Sequence, residues 1–237
     1  VMPIHLETHL RAQRATGRKL LVPYVTGGLL NWKEAIRAAA ASGADAIEVG
    51  IPFSDPVMDG PVIQEASLRA LKDGATPLGI VQEISTLDID IPIAVMLYYN
   101  TLFRAGHERF ATSLVKNGVS AAIVPDLPLE EAREWCRDAD AAGVETIMLA
   151  APTAPDSRLP LVVERARGFV YAVGLLGITG ERDSLAATAT ALASRLKKIT
   201  DKPVLIGVGV SNAEQAYEAC KVADGVIQGA SVVRRLM

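Results

Sequence analysis

Short apolar runs recur eight times along the chain, and segments with helical periodicity separate each run from the next. Hydrophobicity within the runs is continuous rather than alternating, which is typical of strands covered on both faces in a parallel sheet. Eight strand-then-helix units predict an α/β fold, the closed (β/α)8 TIM barrel. The predicted strands are Leu20–Thr26, Ala46–Gly50, Ile93–Leu97, Ala121–Val124, Thr146–Ala150, Phe169–Val173, Val204–Gly207 and Gly225–Ile227.

The N-terminal segment and the chain length add to this prediction of the fold. A helical pattern near Pro3–Ala15 predicts an extra N-terminal helix that closes the barrel floor. The 237 residues, half of them hydrophobic, suit a single TIM-barrel domain over residues 1–237. An open doubly wound sheet is the alternative, and it is disfavoured because no GxGxxG motif follows the first strand.

Charge and cysteine content narrow the class of function. The formal net charge is -3 and no basic stripe is present, so we expect no nucleic-acid partner. The longest uncharged stretches, Gly168–Gly180 among them, are shorter than the roughly 20 residues that span a bilayer, so we expect a soluble protein without a membrane partner. Cys136 and Cys220 lack CxxC spacing, which argues against a disulfide framework or a zinc site and fits a cytoplasmic protein.

The segment Ala46–Pro61 carries three carboxylates where the second strand passes into its loop. Glu48 lies inside the strand, and because burying an unpaired charge is costly, its side chain should face a cavity. Desolvation there raises the pKa of a carboxyl into the range that suits proton transfer. Asp55 and Asp59 also fit ordinary turns, and Asp126 between two prolines either caps the following helix or touches a ligand.

Three glycine-rich loops follow the last three predicted strands. They are Gly174–Gly180, Gly207–Gly209 and Gly229–Ser231, and each precedes a helical segment. Their backbone N–H groups and the adjoining helix N-termini can bind a phosphate. For any one of these loops a tight turn is the better explanation, but three of them after the last three strands favour a phosphate site.

Histidine and lysine are absent from all eight predicted strand exits. His5, His9 and His107 fall in helical or loop segments. A Schiff-base aldolase needs a lysine at the cavity, and a metal-dependent aldolase needs clustered ligands, so both mechanisms are excluded. Carboxylates must then transfer protons, and the substrate itself must act as the electron sink.

Apolar and aromatic residues cluster at the same strand exits and predict a wall that suits a flat aromatic ligand. Ordinary barrel packing accounts for about half of them in any barrel. They are Tyr24, Phe53, Ile63, Tyr98, Tyr99, Leu149 and Tyr171.

The run Ile47–Gln64 closely resembles the signature of the tryptophan synthase alpha chain family. The resemblance continues over nearly the whole chain, through Val22–Thr26, Tyr98–Asn100, Pro125–Pro128, Gly177–Gly180, Gly207–Ser211 and Asp224–Ile227. It implies a (β/α)8 barrel and a lyase that cleaves indole-3-glycerol phosphate to indole and glyceraldehyde 3-phosphate in tryptophan biosynthesis.

The resemblance also implies roles for individual residues. Glu48 matches the general acid and base, and Asp59 matches the acceptor of the indole N–H. Residues that match the indole pocket are Tyr24, Ile63, Tyr98, Leu149 and Tyr171, and those that match the phosphate loops are Gly180, Gly207, Gly209, Gly229, Ala230 and Ser231. Family members need no cofactor in this chain and no metal.

A partner is implied as well. Family members work in an αββα heterotetramer with a beta chain that uses pyridoxal phosphate (PLP), and the loop with Asp55 and Pro56 lies toward that partner. Two other functions remain open from the sequence. One is an allosteric activator of the beta chain with weak catalysis, and the other is a phosphosugar isomerase on the same barrel.

Three segments depart from the family pattern. Gly27–Leu30 replaces Gly-Asp-Pro after the first strand, and Gly174-Leu175 replaces a Ser-Arg pair that precedes the sixth loop. At the last phosphate loop the usual Gly-Ser is Gly229-Ala230, with Ser231 next. We expect a different shape for the first loop, weaker closure of the sixth and a displaced hydroxyl contact at the last.

Overall fold

Eight parallel strands close into a barrel in the computed structural model, which describes residues 3–174, 182–207 and 210–237, with residues 182–186 described as backbone only. Each strand pairs with its neighbours in chain order, and β1 pairs with β8. This confirms the predicted (β/α)8 barrel. The strands are β1 Leu20–Thr26, β2 Ile47–Gly50, β3 Ile93–Met96, β4 Ala121–Ile123, β5 Glu145–Ala150, β6 Val170–Val173, β7 Val204–Gly207 and β8 Gly225–Gln228.

Helices surround the barrel in the described part of the chain. They are α1 Leu6–Ala15, α2 Trp32–Ala41, α3 Pro61–Lys72, α4 Pro77–Ile84, α5 Tyr99–Ala105, α6 His107–Lys116, α7 Arg133–Ala142, α8 Leu159–Arg165, α9 Arg182–Lys197, α10 Ala213–Cys220 and α11 Ala230–Leu236, with a 3-10 turn at Leu129–Glu131. Within the described ranges, none of these helices has the length and apolar character needed to cross a bilayer.

Strand side chains alternate between two cores. Positions such as Ile47 and Val49 point outward and pack under the helices, in the larger of two buried clusters. The intervening positions point inward and fill the barrel with Leu20, Val22, Ala46, Ala94, Ala121, Ile123, Ile147, Phe169, Leu205 and Ile227. Glu48 stands on this inner face, two residues before β2 ends at Gly50.

Helix α1 covers the amino-terminal floor of the barrel. Leu6 and Leu10 are fully buried and belong to the inner cluster. The carboxylate of Glu145, at the start of β5, accepts the backbone N–H groups of Leu6 and Glu7 and so caps the helix. With its floor covered in this way, the barrel is open for ligands at the opposite, carboxyl-terminal face.

Candidate active site

A cavity of about 260 Å³ lies at the carboxyl-terminal ends of the strands. Its walls are mostly apolar, and two carboxylates, those of Glu48 and Asp59, reach into it. The other lining residues are Tyr24, Met58, Gly60, Ile63, Met96, Ile123, Pro125, Leu149, Tyr171, Val173, Val210, Ser211, Ile227, Gly229 and Ala230. A concave apolar site with a few converging polar groups is the usual form of a small-molecule site.

Glu48 is a buried carboxyl without a counter-ion. Its residue is 1% exposed, and its Oε2 atom has no hydrogen-bond partner among the described residues. None of the ion pairs found in the described ranges involves it. Burial, followed by the negative charge of Asp59, raises the pKa of Glu48 to about 8. The group therefore exchanges a proton readily near neutral pH.

Asp59 reaches the same cavity from the loop between β2 and α3. Its backbone N–H donates to the carbonyl of Pro56 at 3.0 Å, and its own carbonyl accepts from the Gln64 amide at 2.8 Å. Burial raises the pKa of Asp59 to about 6, and a hydrogen bond from the Tyr98 hydroxyl acts in the opposite direction. At neutral pH Asp59 is mostly ionised, while Glu48 is mostly protonated.

Four of the predicted pocket residues line the cavity, and one lies behind it. Tyr24, Ile63, Leu149 and Tyr171 are wall residues. Tyr98 does not contribute to the wall; its ring stacks on Phe53 with centroids 5.2 Å apart. The Tyr98 hydroxyl accepts the backbone N–H of Met58 at 3.0 Å, so Tyr98 supports the Asp59 loop.

In the described structure, Tyr99 and Asp126 make packing and capping contacts outside the cavity. The Tyr99 ring packs against Phe103 and His107 on the helical side. Asp126 accepts the backbone N–H of Tyr99 at 2.8 Å and thereby caps α5. From the sequence, Asp126 either caps the following helix or touches a ligand. In the structure it caps α5, the helix that follows β3, although Asp126 itself lies after β4.

The opposite end of the cavity is formed by the last strands. Gly229 and Ala230 line it at the start of α11. The N–H groups of Ala230 and Ser231 lack intrahelical partners by geometry, whereas that of Val232 donates to the Gly229 carbonyl at 2.9 Å. Ser231 is buried, and its Oγ atom has no partner within the described ranges. Gly207 ends β7, where an added Cβ would lie 2.2 Å from the Tyr171 hydroxyl.

Two predicted phosphate-loop residues, Gly180 and Gly209, lie outside the described residues. The Ser211 N–H is already used, since it donates to the Gln215 side chain at 2.7 Å. Of the groups predicted for phosphate, those at the start of α11 are therefore the best placed in the described structure.

The loop after β2 also carries the predicted partner-facing residues. Asp55 is exposed and accepts a hydrogen bond from the Ser54 hydroxyl at 2.5 Å. Pro56 is half-buried, and the neighbouring Val57 is 77% exposed. In the described ranges, no group of three or more histidine, cysteine or acidic side chains is arranged to hold a metal ion.

Comparison with known proteins identifies the family. A sequence profile described as "Tryptophan synthase alpha chain" matches residues 10–237. The chain belongs to the tryptophan synthase alpha chain family. It is 42% identical over 241 residues to the alpha chain of Streptomyces coelicolor, covering 98% of this chain and 88% of that relative. The alpha chain of Methanosarcina mazei is 43% identical over 218 residues, covering 90% of this chain and 80% of the relative.

Solved structures agree with this assignment. Tryptophan synthase of Mycobacterium tuberculosis superposes with a TM-score of 0.88 at 36% identity, covering 98% of this chain and 91% of that one. Tryptophan synthase subunit alpha of Legionella pneumophila gives 0.84 at 31% identity, covering 97% and 87%. The predicted family, and with it a lyase of tryptophan biosynthesis, is confirmed.

The structure describes two of the three segments that depart from the family pattern. Gly28 adopts φ +82°, and a Cβ there would lie 2.6 Å from the Ala75 side chain, so the loop after β1 is closely packed on the chain before α4. Ser231, next to Ala230, keeps a hydroxyl at the last loop, buried and unpartnered among the described groups. Leu175 lies outside the described residues.

Several wall residues escaped the sequence analysis. Met96, Ile123, Val173 and Ile227 each lie two residues beyond an inward-facing strand position, so the period-2 alternation of a strand could have found them. Their apolar character did not mark them as pocket residues, because the interior of any barrel is apolar.

Proposed function

We propose that this chain cleaves indole-3-glycerol phosphate to indole and glyceraldehyde 3-phosphate as the alpha subunit of a tryptophan synthase. The observation that carries the proposal is the Glu48 carboxyl, 1% exposed, in an apolar cavity that also receives Asp59; its Oε2 atom has no partner in the described part of the chain. Membership in the tryptophan synthase alpha chain family supports the choice of substrate.

Glu48 acts first as an acid and then as a base. Its protonated carboxyl donates to C3 of the indole ring, and the ring nitrogen takes up the positive charge. The Asp59 carboxylate accepts the ring N–H and stabilises that charge. Glu48 then removes the glycerol hydroxyl proton, the carbon–carbon bond breaks, and its electron pair returns to the ring. A pKa of about 8 suits both proton transfers.

The remaining contacts hold the two ends of the substrate. The indole ring lies against the wall formed by Tyr24, Ile63, Leu149 and Tyr171, with Tyr98 supporting the Asp59 loop from behind. The phosphate binds at the start of α11, to Gly229, Ala230 and Ser231. Gly180, Gly207 and Gly209 complete the phosphate site.

A beta chain is the proposed partner in an αββα heterotetramer. The exposed Asp55 and Val57, with Pro56 between them, support a contact from the loop after β2. PLP belongs to that beta chain, and the reaction proposed here needs no cofactor in the alpha chain. Such an assembly would work in the cytoplasm.

Indole release from indole-3-glycerol phosphate tests the proposal, with the purified chain assayed alone and with a beta chain. We expect turnover alone and faster turnover in the complex. No cleavage under either condition, with the beta reaction still stimulated, would instead identify an allosteric activator. Interconversion of triose phosphates, with no preference for an indole-bearing ligand in thermal-shift measurements, would identify an isomerase.

A further inference from the structure

Tyr98 contacts both ends of the loop that follows β2. The exits of β2 and β3 are neighbours, since strand register pairs Gly50 with Met96. Near the start of the loop, the ring of Phe53 stacks on the Tyr98 ring with centroids 5.2 Å apart and an interplanar angle of 24°. Near its end, the backbone N–H of Met58 donates to the Tyr98 hydroxyl at 3.0 Å. The loop is therefore fastened to the exit of β3 at two points.

The hydroxyl of Tyr98 also has a proton to donate. It accepts the N–H of Met58 and donates to the carboxylate of Asp59, the next residue along the loop. Burial raises the pKa of Tyr98, and the negative charges of Asp59 and then Asp126 raise it further, so the phenol keeps its proton at neutral pH. A donor of this kind favours the ionised form of the carboxyl that it faces.

Three other titratable side chains of the described structure line the same cavity as Asp59. They are Glu48 on β2, Tyr24 on β1 and Tyr171 on β6. Burial, together with neighbouring charges that include Asp59, raises the pKa of each. Of the groups in the described ranges, Tyr98 alone forms a hydrogen bond that lowers the pKa of Asp59, against the burial that raises it to about 6. Tyr98 therefore stabilises the ionised form of Asp59.

In the reaction proposed above, Asp59 must be ionised to accept the ring N–H and to stabilise the positive charge of the ring, and the inference rests on that role. We propose that Tyr98 is a positioning residue for Asp59. Its hydroxyl, fixed by the N–H of Met58, holds the Asp59 carboxylate ionised and in place at the end of the loop. Tyr98 thus acts through Asp59 and does not itself line the cavity.

Tyr98→Phe keeps the ring that stacks on Phe53 and removes only the hydroxyl. We expect kcat/KM for indole release from indole-3-glycerol phosphate to fall by about tenfold, the effect of losing one hydrogen bond to a charged group. The acid limb of the pH profile should move to higher pH, because the pKa of Asp59 rises when its donor is lost. Tyr99→Phe removes the neighbouring hydroxyl, from a ring that packs outside the cavity, and is the matched control. It should leave the profile unchanged.

The titration of Asp59 itself, observed by carbon-13 NMR on the ligand-free chain, tests the inference independently of turnover. The pKa of Asp59 should be higher in Tyr98→Phe than in wild type and unchanged in Tyr99→Phe. If Tyr98 only supported the loop, its loss would admit water to Asp59 and lower that pKa, because burial is what raises it. The direction of the shift therefore separates positioning from mere support.

An Asp59 titration that stays in place or moves to lower pH in Tyr98→Phe would overturn the inference and leave the proposed function intact. So would an acid limb that does not move while indole is still released. Failure of the wild-type chain to release indole at any pH would instead count against the proposed function, and the Asp59 titration would still decide the role of Tyr98.

Discussion

Glu48 is a carboxyl that is almost completely buried and that has no counter-ion among the residues the structure describes. Burying an ionised carboxylate without a partner is so unfavourable that the group keeps its proton instead. A polar group of this kind weakens folding when it ionises, so its presence in the barrel interior indicates a functional rather than a structural role. Two experiments follow at this scale.

The first concerns stability against pH in Glu48→Gln. The folded pKa of about 8 lies above the ordinary value of 4.5, so the folded protein holds a proton that the unfolded chain has lost. Wild-type stability therefore falls as pH rises from about 4.5 to 8. Glu48→Gln does not show this loss, so its free energy of unfolding in urea should rise relative to that of wild type across that window, by on the order of 5 kcal/mol. Glu164→Gln, an exposed glutamate on α8, is the control, and a constant difference between Glu48→Gln and wild type would contradict the account.

The second concerns the coupling between the carboxylates in Asp59→Asn. The negative charge of Asp59 raises the pKa of Glu48, so its removal should lower that pKa. The Glu48 carboxyl, observed by carbon-13 NMR, should titrate at lower pH in the variant than in wild type. Asp55→Asn removes an exposed charge from the same loop and is the matched control. A Glu48 titration that stays in place, or moves to higher pH, would show that the two groups are not coupled.

At the scale of single elements, the cap on α1 joins the floor of the barrel to the sheet. Glu145 is 5% exposed and accepts two N–H groups from the first turn of a helix that lies more than 130 residues earlier in the chain. Leu6 and Leu10 then fill the barrel floor. The Glu145 carboxylate joins the first turn of the helix to β5, while Arg11 and Arg14 pair with Asp201 and Asp224 further along it. The docking of the first turn therefore depends on β5.

Glu145→Ala should therefore loosen α1 selectively. The lost cap leaves buried N–H groups without a partner, which costs about 1–3 kcal/mol. Hydrogen exchange of the α1 amides should accelerate, while the outer helices α7 and α8 keep their protection. Glu7→Gln, which weakens the half-buried ion pair with Arg11 on the same helix but leaves the Glu145 cap in place, should cost less than about 1 kcal/mol. Unchanged α1 protection in Glu145→Ala would refute the role of the cap.

At the scale of the whole molecule, most of the architecture can be predicted from the sequence. Continuous apolar runs locate all eight strands to within about one residue at either end, because strands buried on both faces have few polar positions to obscure them. The N-terminal helix predicted near Pro3–Ala15 is less accurate at its start, since α1 begins at Leu6. That residues 1–237 form a single domain stays a prediction.

Contacts between loops are less predictable than strands. The cap from Asp126 to Tyr99 and the position of Tyr98 behind the cavity both join segments from different units. Such contacts depend on where loops meet in space, which hydrophobic periodicity does not encode. The inward position of Glu48 was predictable, because alternation within one strand determines it.

The most direct measurement of the central claim is indole release by Glu48→Gln in the presence of a beta chain. The glutamine has nearly the same shape and cannot transfer a proton, so we predict a loss of at least about 10²-fold in kcat, as expected when an acid–base group is removed. Glu145→Gln, the same change at the other buried glutamate, should retain turnover. Near-normal turnover by Glu48→Gln would contradict the account.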